Sequence, residues 1–88
     1  MNPFSLIDKR VLVTGASGGL GSAIAISASK LGAKLIITGR NRERLSEVYR
    51  SLDGEGHRMV IADLSTKEGR EELVKELPTL HGVVYSTG

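Results

Sequence analysis

An α/β fold with a doubly wound parallel sheet is the architecture this sequence predicts, and three observations point to it. Short, nearly continuous apolar runs alternate with longer amphipathic stretches along the chain, which is the pattern of repeated βαβ units. Aromatic residues make up only 3% of the composition, so Ile, Val, Leu and Ala must fill the core, as suits a sheet covered by helices. A glycine-rich stretch separates the first apolar run from the first amphipathic one, where a strand would turn into a helix.

Length and charge set the outer bounds. A chain of 88 residues has room for one small domain, burying about 60–65% of the surface it exposes when unfolded. Hydrophobic content of 40% and charged content of 25% are ordinary for a globular chain. The net charge of +2 is interspersed rather than gathered into a stripe, so nucleic-acid binding is not expected. Cysteine is absent, which excludes disulfides and thiolate metal sites. The opening Met1-Asn2-Pro3-Phe4-Ser5-Leu6 lacks a signal-peptide pattern, and the chain holds no long apolar run. A cytoplasmic protein without membrane association is the expectation.

Taken in order, Arg10-Val11-Leu12-Val13-Thr14 reads as a buried first strand ending at Gly15. A helix from about Gly19 is expected to turn Leu20, Ile24, Ala28 and Leu31 to the core, with Gly32 as its stop. Lys34-Leu35-Ile36-Ile37-Thr38 is the second strand. Asn41 is placed to cap a second helix carrying Leu45, Val48 and Leu52, which ends before the loop Asp53-Gly54-Glu55-Gly56. Arg58-Met59-Val60-Ile61-Ala62 forms the third strand. Ser65-Thr66-Lys67-Glu68 matches a capping box with Ser65 as the cap, opening a helix with Leu73, Val74 and Leu77 that stops at Pro78. A fourth strand, Val83-Val84-Tyr85, leads to Ser86-Thr87-Gly88.

Four strands and three helices in strict alternation, joined by right-handed crossovers, predict the strand order 3-2-1-4. The first two helices then cover one face and the third the other. Between strands one and four the winding reverses, and open α/β sheets of this Rossmann type bind ligands in the crevice there.

The segment Thr14-Gly15-Ala16-Ser17-Gly18-Gly19-Leu20-Gly21 falls at that crevice. A helix start offers unpaired amide hydrogens and about half a positive charge, which suit a pyrophosphate. Gly15 would allow a tight turn, Gly19 a close approach of phosphates to the backbone, and Gly21 close packing of helix on strand. Ser17 would donate its hydroxyl to a phosphate or to a nearby carbonyl.

The end of the second strand bears on the cofactor. An acidic residue there would bond the 2′-hydroxyl of an NAD ribose, whereas this chain has Thr38-Gly39-Arg40-Asn41. A guanidinium at Arg40 instead suits a 2′-phosphate, which favours NADP(H). The alternative is a solvated arginine beside Arg42 and Arg44. Asp63, just past the third strand, would either accept from an adenine amino group, with Leu64 against the ring, or cap the next helix. His57 and His81 read as loop residues at strand starts, and Tyr49 and Tyr85 as packing residues.

With Thr14-Gly-x-x-x-Gly19-x-Gly21 after the first strand, Asp63-Leu64 after the third and Ser86-Thr87-Gly88 after the fourth, the whole chain resembles the short-chain dehydrogenase/reductase family. The resemblance implies a dimeric or tetrameric oxidoreductase that moves hydride between NAD(P) and a carbonyl or alcohol. It places Gly15, Ser17, Gly19, Leu20, Arg40, Asp63 and Leu64 at cofactor-contact positions, and Gly18, Gly21, Ser86 and Gly88 are expected to bind the cofactor beside them. Two departures stand out. Tyr85-Ser86-Thr87-Gly88 replaces the family's usual Asn-Asn-Ala-Gly, so the Asn contact near the adenine would be weakened or replaced by a hydroxyl. The family's catalytic Ser and Tyr-x-x-x-Lys pair has no counterpart, since Tyr49 is followed by Arg50-Ser51-Leu52-Asp53. The expectation is therefore a single truncated NADP(H)-binding domain, residues 1–88, inactive alone and self-associating through its open sheet edge. The competing reading is a non-enzymatic nucleotide-binding or interaction module whose natural length is this one.

Overall fold

The computed structural model describes residues 5–86. Strand β1 (Arg10–Val13), helix α1 (Gly19–Lys30), strand β2 (Lys34–Gly39), helix α2 (Arg42–Ser51), strand β3 (Arg58–Ile61), helix α3 (Lys67–Glu76) and strand β4 (Gly82–Val84) follow one another in strict alternation. The sheet order is β3-β2-β1-β4 and every pairing is parallel. Both match the expected topology.

Alternation along the strands sorts side chains to two faces. Val13, Leu35 and Ile37 pack with Ala25 of α1 and Leu45 and Val48 of α2 in the larger core. Leu12 and Ile36 meet Leu73 of α3 on the other face. Burying a Leu, Ile or Val side chain contributes about 1.5–3 kcal/mol, so the two-helix face carries most of the stabilisation.

The helix ends explain why the chain turns where it does. Past α1, Gly32 takes a φ of +97°, its N–H donates to Ser29 and that of Ala33 donates to Ala28. That pair of bonds satisfies the last carbonyls and needs a residue at ease in the left-handed region. Asn41 caps α2 as expected, its side chain accepting from the Arg44 N–H at 3.1 Å.

Four local expectations are corrected. The fully buried residues of α1 are Gly21, Ala25 and Ser29, with Ala28 partly buried against the core as expected, while Leu20 is 70% exposed. A helix lying close on a sheet has space only for small residues at the contact. The cap of α3 is Thr66, which accepts from the Gly69 N–H at 2.9 Å, because Ser65 is engaged by Asp63. Val74 is exposed, since Leu73 takes the inward position of that turn. The tyrosines are not core residues. Tyr85 is 83% exposed, and Tyr49, exposed on α2, donates its hydroxyl to the His57 carbonyl at 3.0 Å.

The histidines have a shared role at the strand starts. His57 Nδ1 accepts from the Leu35 N–H and His81 Nδ1 from the Arg10 N–H, each at 3.0 Å. Each ring thus occupies a backbone donor of a neighbouring strand. Ser29 does a similar service, donating to the Ile26 carbonyl and accepting from the Asp53 N–H, which ties the loop after α2 to α1.

Thr38 is fully buried, and its hydroxyl has no hydrogen-bond partner among the described residues. An unsatisfied buried hydroxyl costs about 1–3 kcal/mol. Thr38→Val, which keeps the shape and removes the polar atom, should raise unfolding stability by about 1–3 kcal/mol in urea titrations. A loss of stability would show that the hydroxyl is satisfied in solution.

Candidate functional site

The bend after β1 is shaped by backbone requirements. Gly15 adopts a φ of +64°, a conformation that side chains with a Cβ disfavour. The Ala16 N–H donates to the Thr38 carbonyl at 3.0 Å, fastening the bend to the end of β2, and the Gly18 N–H donates back to Gly15 at 3.1 Å. A Cβ on Gly21 would collide with the Gly15 carbonyl oxygen. The first turn of α1 therefore rests directly on the bend.

What this turn presents differs from the other two helices. α2 has Asn41 as cap and Glu43 in its first turn, and α3 has Thr66 and Glu68. α1 starts at Gly18 with no side-chain cap and no acidic residue in its first turn. The N–H groups of Gly19, Leu20 and Gly21 have no acceptor among the described residues. A Cβ on Gly19 would meet nothing within 4 Å, so the fold itself does not require glycine there. Uncapped amides at a helix start carry a partial positive charge directed outward.

Two adjoining depressions flank this start. One is lined by Ser17, Gly18, Arg40, Asn41 and Arg44, the other by Gly15, Ser17, Gly39, Arg40, Ala62, Asp63, Leu64, Ser65 and Ser86. Neither Arg40 nor Arg44 joins an ion pair among the described residues. A Cβ on Gly39 would lie 2.8 Å from Ser17 Oγ, so the Ser17 side chain is seated against the bare end of β2. Asp63 Oδ1 accepts from the Ser65 hydroxyl at 2.6 Å and the Ser65 N–H at 3.0 Å. Asp63 thus organises its own loop and does not cap α3. The Ser65 hydroxyl and then its N–H hold the Asp63 carboxyl below the ordinary carboxylate range, burial opposes them, and the Arg40 charge adds a smaller downward pull.

Thr14 closes the third side. It is buried, its N–H donates to the Val84 carbonyl at 2.9 Å, and its Oγ1 accepts from the Ser86 N–H at 3.2 Å. Ser86, the hydroxyl residue in the Asn position, is thereby held at the crevice wall.

Among the sequence candidates, Gly15, Ser17, Gly18, Arg40, Asp63, Leu64 and Ser86 line the two depressions. Gly19 and Leu20 stand exposed at the helix start, Gly21 is buried beneath it, and Gly88 lies outside the described residues. Sequence reasoning missed Arg44 as a wall residue, although it is the third residue of the helix that Asn41 caps. It gave no role to Gly39 or to the Thr14 side chain, whose partners lie far along the chain.

A parallel sheet in this order, with a glycine-shaped bend delivering an uncapped helix to the switch point, defines an α/β protein of the dinucleotide-binding class. The chain belongs to the short-chain dehydrogenase/reductase family: the family model for short chain dehydrogenase matches residues 9–87. It is similar to an uncharacterized oxidoreductase of Staphylococcus aureus (strain USA300), 41% identical over 70 residues, covering 80% of this chain and 30% of the relative. It is also similar to a hydroxysteroid 11-beta-dehydrogenase 1-like protein of Xenopus tropicalis, 40% identical over 88 residues, covering 96% and 31% respectively. A solved Pseudomonas aeruginosa RhlG/NADP active-site complex superimposes with a TM-score of 0.82 at 31% identity, covering 100% of this chain and 38% of that one. The chain spans about a third of the length of these relatives.

Two glycines separate fold from site. Gly21→Ala should destabilise the chain by about 1–3 kcal/mol, the range for overpacking. Gly19→Ala should leave unfolding stability unchanged or raise it by up to about 1 kcal/mol. Equal losses in the two variants, measured by chemical denaturation, would contradict the geometry. For Asp63, a folded pKa below the unfolded one stabilises the chain above about pH 4, a contribution lost as pH falls through the folded value. In Asp63→Asn the decline of the thermal midpoint below about pH 4 should be shallower; an unaltered decline would rule out the Ser65 bonds as its source.

Proposed function

We propose that this chain is the NADP(H)-binding half of a short-chain oxidoreductase, a single domain spanning residues 1–88. The observation that carries the reading is the start of α1. Of the three helices among the described residues, α1 is the one without a side-chain cap or first-turn acid, and the Gly18 just before it lines a depression with Arg40 and Arg44. These groups fit a dinucleotide. The Gly19 and Leu20 N–H groups would hold the pyrophosphate, and the open space over Gly19 would admit it.

Arg40 just past β2 and Arg44 in the first turn of α2 supply cations around one depression, where a 2′-phosphate would lie. The second depression would take the adenine, with Leu64 against the ring and Asp63 or Ser86 available to polar atoms. The structure of a relative solved as an NADP complex supports the phosphorylated cofactor. When bound, a nicotinamide dinucleotide supplies or accepts a hydride. What this chain contributes is binding and orientation.

NADPH should bind more tightly than NADH. Arg40→Ala should lower NADPH affinity by about 10- to 100-fold, since bonds to charged groups contribute about 1.5–3 kcal/mol, and leave NADH nearly unaffected. Calorimetric titration of both cofactors against both chains checks this. Equal affinities for the two cofactors in the parent chain would remove Arg40 from the role.

A further inference from the structure

At the far end of the sheet from the crevice, Arg10, Lys34 and Arg58 are the first residues of β1, β2 and β3. Parallel register sets Arg10 beside Lys34, and Arg58 beside Ile36, two residues beyond Lys34. All three side chains therefore leave the sheet on the α3 face. They surround a depression of about 340 Å³ that Ile36, Gly56 and Pro78 also line.

Like charges on neighbouring strands repel, and little among the described residues offsets them. Lys34 Nζ lies 3.8 Å from Asp8 in a largely exposed pair. Arg10 and Arg58 join no ion pair among the described residues. Each arginine makes one long bond to a backbone carbonyl, Arg10 to Thr79 at 3.4 Å and Arg58 to Glu76 at 3.3 Å. Charge-assisted bonds are ordinarily about 2.7–2.9 Å, and a guanidinium has five N–H donors, so most of the donor capacity is unspent.

We propose that this depression binds a phosphate-type dianion, at a site separate from the cofactor crevice. Three cations around one concavity call for an anion of more than one charge. Guanidinium forks match phosphate oxygens in geometry. Ile36 and Pro78 offer an apolar wall, which suits a small phosphomonoester whose organic part lies against them.

Thermal unfolding and amide NMR of the whole chain test this with three probes at equal ionic strength: inorganic phosphate, glycerol phosphate and chloride. Phosphate or glycerol phosphate should raise the midpoint over chloride by at least about 4 °C at saturating concentration and shift the amides of Arg10, Lys34, Gly56 and Arg58. Glycerol phosphate acting at lower concentration than phosphate identifies a monoester ligand, and equal action identifies the inorganic ion. The rise should vanish in the double variant Arg10→Gln, Arg58→Gln, or in Lys34→Gln should the double variant fail to fold, and persist in Arg40→Ala. A rise no larger than with chloride, one retained after neutralisation, or one lost in Arg40→Ala would overturn the proposal.

Discussion

The first turn of α1 lies so close to the end of β1 that a single methyl group at Gly21 would collide with the Gly15 carbonyl. This contact decides how the crevice is built. It fixes the direction in which the helix leaves the sheet and hence where the free amides of Gly19 and Leu20 point. The bend cannot relax away from it, because the Ala16 N–H is bonded to Thr38 on one side and Thr14 is bonded to Val84 and Ser86 on the other. Three separate stretches of chain are thereby locked around one helix start.

Most of the architecture could be read from the chain before its structure, because period and punctuation agree locally. Val11 to Val13, Leu35 to Ile37 and Met59 to Ile61 are apolar runs bounded by charge and glycine, and each is a strand of the sheet. Asn41 and Gly32 act through groups within a few residues, and both were legible as a cap and a stop. The reading failed where distance rather than hydropathy chose the residue. Leu20 is a large apolar side chain at the start of α1, yet Gly21, Ala25 and Ser29 are the buried residues, and at Gly21 even a Cβ would meet the Gly15 carbonyl. Ser65 and Thr66 are chemically equivalent as caps, and the choice between them is made by Asp63, which engages the Ser65 hydroxyl.

Of the candidate site, the residues on the bend were legible because a strand, glycines and a helix follow one another without a break. Gly39 and Gly69 were not. Gly39 makes space for Ser17, and Gly69 for the Asp63 carbonyl, and nothing adjacent to either in the chain signals the need. The two histidines were placed at strand starts, but their role as acceptors for Leu35 and Arg10 N–H groups depends on pairings across the sheet. Arg44 reaches the crevice only because the cap at Asn41 sets the phase of α2.

The loop from Asp63 to Thr66 is braced from several sides. The Asp63 carbonyl accepts from the Thr66 N–H and hydroxyl, its carboxylate accepts twice from Ser65, and the bare Cα of Gly69 lets the loop lie against α3. Such a segment surrenders its conformational freedom when the chain folds, not when a ligand arrives. In the proposed cofactor reading, pre-organisation of this wall would spare an incoming ring the entropy of ordering a loop, and part of that saving would trace to Gly69, whose bare Cα lets the loop lie so close.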